Sequence, residues 1–202
     1  MRSILFVVIL LSACRPSKFQ TEQEFYAWWN DESNGLTKEY DANSFSLSAK
    51  YLPAEYLAYK ELKSNPSYSF DSLVIEYSSG YTFLISIKSK NQKGDPLLKD
   101  NDLEDFAGKI YDLNFIPEQF VQLTIGDSIL VPVLSTLESG GEIGNQRTWY
   151  VVFSTLDETE HQFTDMDLLF DDQIYNSGLH HFIFNMADIS MLPAFEFVKN
   201  KS

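Results

Sequence analysis

His180 and His181 stand side by side, and four aspartates, Asp165, Asp167, Asp171 and Asp172, lie within eight residues a little upstream. Imidazoles and carboxylates are the groups that ligate metals and move protons. Along a strand, neighbouring side chains point to opposite faces, so the two histidines are not expected to share an ion. Asp165 and Asp167 fall on one strand face with Asp171 and Asp172 at its end, where their oxygens could converge on calcium. A solvated acidic face is the simpler expectation. His161 stands alone in a polar stretch, and neither a metal site nor a cofactor is expected.

The other chemical candidates are weaker. Asp100-Asn101-Asp102-Leu103-Glu104-Asp105 begins like a calcium loop, but Asp105 occupies the position of the required glycine and Tyr111 that of the bidentate glutamate. Helix capping accounts for these acids. Gly140-Gly141-Glu142-Ile143-Gly144 lacks the lysine of a phosphate loop, and no Gly-x-Ser-x-Gly elbow occurs. Paired carboxylates for glycoside hydrolysis need a set separation across a cleft, which sequence does not supply. Trp28, Trp29 and Trp149 could stack on sugars, yet Trp28-Trp29 at helical spacing reads as core. No catalytic residue is expected, and the chain is not expected to be an enzyme.

The single cysteine, Cys14, carries the most specific signal. It follows Arg2, an apolar run from Ile4 to Leu11, and the small residues Ser12 and Ala13, the layout of a secretory signal. That run is far too short to span roughly 30 Å of hydrocarbon. Leu11-Ser12-Ala13-Cys14 resembles the lipobox of bacterial lipoproteins, which implies lipid on the Cys14 thiol and cleavage just before it. Residues 1–13 would then be signal and 14–20 a lipidated leash. Two acyl chains hold a protein to a bilayer stably, whereas one holds it marginally. Arg15 is not the aspartate that resembles an inner-membrane retention signal, which leans towards the outer membrane, facing the periplasm.

Composition narrows the partners. The formal net charge is −14 and becomes −15 without Arg2, which speaks against nucleic acid and against basic patches on anionic lipid. Sixteen phenylalanines and eleven tyrosines in 202 residues fit a β-leaning globular body.

The elements that must position these residues follow from pattern. Thr21 with Glu24 is a capping box, and Phe25, Trp28 and Trp29 share the face of the helix it starts. Phe45, Leu47, Ala49 and Tyr51 alternate with polar residues as a half-buried strand, and Pro53 suits the first turn of the next helix. Leu73 to Tyr77 and Tyr81 to Ile87 read as strands that could pair as a hairpin. Asp102 caps a helix bearing Leu103, Phe106, Ala107 and Ile110. Beyond Phe115 the chain reads as strands: Val121 to Ile125 and Ile129 to Leu134 around Gly126-Asp127, with Pro132 marking an edge, then Trp149 to Ser154, Asp167 to Phe170 and His181 to Met186. Ser139 to Gln146 is a glycine-rich loop. The fold class expected is α+β, with strands and two to three helices over residues 21–114 and an antiparallel β-sandwich over residues 115–202, packed as one unit.

Residues 28–36, Trp-Trp-Asn-Asp-Glu-Ser-Asn-Gly-Leu, and 50–56, Lys-Tyr-Leu-Pro-Ala-Glu-Tyr, resemble a pattern in small uncharacterised lipoproteins of Bacteroidota-type bacteria. Trp149 to Phe153, followed by Leu168-Leu169-Phe170, is similar to the last strands of immunoglobulin-like domains. Neither resemblance carries a functional residue. The expectation is a membrane-anchored envelope lipoprotein acting as a non-enzymatic protein-binding or structural module, with another envelope protein as partner. The alternative is a glycan- or calcium-binding module, or a hydrolase, built on the acids and aromatics of the C-terminal half.

Overall fold

The computed structural model describes residues 17–91, 94–98, 102–138, 144–155 and 164–199. Cys14, His161 and most of the glycine-rich loop lie outside them. The fold is α+β: two antiparallel sheets pack face to face, and helices cover one outer side.

The chain enters through β1 (Lys18–Phe19) and α1 (Glu22–Trp29). Thr21 Oγ1 accepts the Glu24 amide at 3.2 Å while the Glu24 carboxylate takes the Thr21 amide, so the capping box forms as read. Phe25 and Trp29 turn inward. A single 3-10 turn and Gly35, at φ 84°, lead into β2 (Thr37–Asp41) and β3 (Phe45–Leu52), whose Phe45, Leu47, Ala49 and Tyr51 are buried. Pro53 sits at the cap of α2 (Ala54–Ser64), one position before the first turn.

The segment Leu73 to Tyr77 is not a strand. It belongs to α3 (Phe70–Tyr77), which Ser69 caps and which lies against α2. The apolar run Leu73-Val74-Ile75 suggests a strand by type, but only Leu73 is buried and Ile75 is 75 % exposed. The face that α2 offers and the Ser69 cap outweigh β-branched preference over so short a run. Tyr81 to Ile87 lies in β4 (Gly80–Ser89), which pairs with β3 instead.

Asp102 caps α4 (Leu103–Phe115) by accepting the Glu104 and Asp105 amides at 3.0 Å. β5 (Val121–Ile125) and β6 (Ser128–Leu130) form the expected two-residue hairpin, with Gly126 at φ 56°. Pro132 then breaks the run, and the chain re-enters the other sheet as β7 (Leu134–Leu137). The proline thus stands at a corner between two edge strands. The remaining strands are β8 (Gln146–Ser154), β9 (Asp165–Asp172) and β10 (Gly178–Asn185). After α5 (Met186–Ser190) comes β11 (Ala194–Phe195), which pairs in parallel with β1, and then α6 (Glu196–Lys199).

One sheet runs β2-β3-β4-β8-β7 and the other β10-β9-β5-β6. Both halves of the chain build the first, because β8 pairs with β4 from Gly80↔Ser154 to Lys88↔Gln146. Phe83, Ile85, Trp149, Val151, Leu123, Leu168, Phe170 and Phe184 fill the space between the sheets at 0 % exposure. Each such side chain is worth about 1.5–3 kcal/mol on burial. The strands compared with an immunoglobulin-like domain, β8 and β9, fall in different sheets.

Candidate functional site

The β9–β10 hairpin brings together groups the sequence had kept apart. Asp172 ends β9 facing inward and is 1 % exposed. Its Oδ1 accepts the Ile174 and Tyr175 amides at 3.0 and 2.9 Å, and its Oδ2 accepts the Ser177 amide at 3.1 Å and the Ser177 hydroxyl. Asn176 at φ 56° and Gly178 at φ 88° complete the turn, positions that Asn and Gly tolerate best. Ser177 Oγ also lies 2.7 Å from His180 Nε2, and the Tyr40 ring from β2 rests 4.2 Å from the imidazole.

Aspartate, serine and histidine in one chain of hydrogen bonds invite comparison with a nucleophile and its base. The order is wrong for that chemistry. Ser177 has one proton and gives it to Asp172, so His180 must donate through Nε2 and cannot act as the base for this hydroxyl. Burial pushes the His180 imidazole below the usual histidine range, with Asp172 opposing that shift. The cluster holds a turn.

The other predicted carboxylates have separate partners. Asp165 accepts the Thr164 hydroxyl at 3.1 Å, Asp167 pairs with His181 Nδ1 at 2.8 Å, and Asp171 accepts Gln173 Nε2 at 3.3 Å. The burial alternation of β9 puts Asp165, Asp167 and Asp171 on its outer face and Asp172 on its inner one. Among the described residues, no group of three or more His, Cys, Asp or Glu side chains is placed to hold a metal ion. His180 faces in and His181 out, as strand alternation requires.

Lys50 forms a second polar site that the sequence reading did not single out. Its ammonium donates to the Trp29 carbonyl at 2.8 Å and lies 3.9 Å from the centre of the Trp29 ring. Tyr56 stacks on that ring at 4.1 Å and 15°, so the ammonium takes the remaining face and no open platform is left for a sugar. Trp149 is fully buried, and Trp28 packs on Phe19 at 5.5 Å. A pocket of about 210 Å³ opens beside Lys50, with Ser48 and Ser86 in its wall. Burial lowers the Lys50 amine to about 8. The signal for it was a lysine on the polar side of an alternating strand, which most often means solvent.

A cavity of about 630 Å³ lies between α1, α2, α3 and α6, with Tyr59, Leu62, Phe70 and Phe197 in its wall and the Lys63–Glu22 ion pair, at 2.7 Å, on its rim. Burial, with the Glu22 carboxylate beside it, pushes the Tyr59 phenol up.

The described residues form an α+β sandwich with a helical layer. No family model matches the chain, and no curated protein or solved structure matches it.

Proposed function

We propose that this protein is a lipoprotein of the cell envelope, held by lipid on Cys14 to the outer membrane and facing the periplasm, and that it binds another envelope protein without catalysing a reaction. The observation that carries this reading is where the folded body begins. Lys18 and Phe19 already pair with Ala194 and Phe195, and Phe19 is 0 % exposed. Four residues from Cys14 to Lys18 reach at most about 14 Å. A lipid on Cys14 would therefore hold the body close to the bilayer in a restricted range of orientations, which suits a docking module better than a freely roaming one. The turn-holding role of Ser177 and the separate partners of the aspartates support the non-enzymatic part.

Crosslinking in whole cells tests the reading. Wild type should yield one stoichiometric envelope partner, and Cys14→Ala, released from the membrane, should lose it. A protein recovered without any envelope partner would count against the proposal.

A further inference from the structure

The sandwich has four lateral edges, β2 and β7 in one sheet and β10 and β6 in the other. An exposed edge strand is a template for pairing with another chain, and folded proteins blunt it with charge, brevity, proline or cover. Three of the edges here are blunted. β6 is three residues long and is followed by Pro132. β7 is covered by α4: Asn114 Oδ1 accepts the Leu137 amide at 3.1 Å, and the Ser135 hydroxyl donates to the Leu113 carbonyl at 2.5 Å. β2 carries Lys38, Glu39 and Asp41 in five residues.

β10 lacks the charge, the brevity and the proline, and β2 lies only against its inner side, with the Tyr40 ring 4.2 Å from the His180 imidazole and the Lys38 ammonium 5.9 Å from the centre of the Phe184 ring. Gly-Leu-His-His-Phe-Ile-Phe-Asn runs eight residues without proline, Asp, Glu, Lys or Arg, and it pairs with β9 without interruption from Gly178↔Asp172 to Asn185↔Asp165. Among the described residues no strand pairs with its outer side. His180, Phe182 and Phe184 anchor it from within, at 7, 2 and 0 % exposure. Leu179 and Ile183 point outward, 60 % and 54 % exposed, two positions to either side of His181.

We propose that β10 is the interface with a second copy of this chain, through an antiparallel pairing of the two β10 strands about a two-fold axis at His181. Side chains directly opposite in a continuous sheet share a face, so the pairing must match odd positions with odd. Centred on His181, it sets Leu179 of each protomer against Ile183 of the partner subunit, and the aliphatic match occurs twice. Centred on His180 or Phe182 instead, it sets His181 against one aliphatic residue and leaves the other without a match. A two-fold axis produces this reciprocity for a second copy without any further coincidence, whereas another protein would have to reproduce the spacing. With no charged residue on the strand, self-pairing places no fixed like charges opposite one another, and each His181 keeps Asp167 beside it at 2.8 Å. The inference goes beyond the proposed tether and does not depend on it.

Disulfide trapping tests the register. The full chain has one cysteine, Cys14, so His181→Cys and Leu179→Cys each add a single thiol, and the parent chain reports any background from Cys14. In whole-cell lysate of the full chain treated with copper phenanthroline, His181→Cys should form a dimer, since opposite Cα atoms lie about 4.5–5.5 Å apart. Leu179→Cys should stay at the parent level, because the two copies of that position sit about 14 Å apart in this register. Adding Ile183→Lys to His181→Cys should cut the dimer at least about tenfold, a 1.4 kcal/mol change. Equal trapping at 179 and 181, no trapping at 181, or a dimer indifferent to Ile183→Lys would overturn the proposal.

Discussion

Two regions of the molecule fix the chain by opposite means. Around β1, Phe25 is ringed by Phe19, Trp29, Tyr59, Phe195 and Phe197, with centroids 5.0–6.4 Å away. At the β9–β10 turn, one buried carboxylate gathers three amides and a hydroxyl. The first closure rests on volume and apolar area, which are indifferent to pH and unforgiving of cavities. The second rests on hydrogen bonds, each modest when made and costly when one partner is removed. The aromatic closure joins residue 19 to residue 195, and the polar one ties down six residues of a single turn.

Substitutions can break this contrast in order of size. Phe25→Ala should cost about 3–5 kcal/mol in urea unfolding, the range for a large aromatic lost from a packed core, and should free β1 from β11 as read by hydrogen exchange at Phe19. Asp172→Ala should cost about 2–3 kcal/mol by leaving buried donors without an acceptor, while Asp172→Asn recovers part of it. Equal losses for Ala and Asn would show that side-chain size and one remaining acceptor recover nothing, and that the turn needs both carboxylate oxygens. Thr21→Ala, which removes the cap of the helix carrying Phe25, should cost about 1 kcal/mol.

The mildest change concerns pH and separates the regions most cleanly. His180 has its pKa lowered in the folded state, so the unfolded chain binds more protons below its ordinary value. Its contribution to stability is present above about pH 6.5 and is lost as the pH falls through the lowered folded value. Unfolding measured across pH 5–8 should show this slope in wild type and a flatter one in His180→Gln. An unchanged slope in the variant would assign the pH dependence to other groups.

The same contrast explains what could be read from the sequence. Thr21 with Glu24, the alternation from Phe45 to Tyr51, Asp102 before Leu103, and Gly126-Asp127 are all local signals, and each element formed where its signal lay. Leu73 to Tyr77 failed because so short a run, apolar and partly β-branched apart from Glu76, fits strand and helix alike, and the face of α2 decided between them. The pairing of β4 with β8 and of β1 with β11 left no local trace, since such partners are chosen by the whole core. At the turn, Asp172 was legible as an acid but not as an inward-facing one. The clue lay in Asn176-Ser177-Gly178 just after it, turn residues whose amides a carboxylate at the strand end can collect. Lys50 was hidden for a related reason: Trp29, twenty-one residues earlier, supplies its surroundings.

The proposed anchor is the claim on which the orientation of both regions depends, and metabolic labelling with a palmitate analogue tests it most directly. Wild type and Cys14→Ala would be expressed side by side, and the inner and outer membranes separated. The account predicts label on wild type alone, in the outer membrane, with Cys14→Ala unlabelled and free of it. Wild type left without label would contradict it.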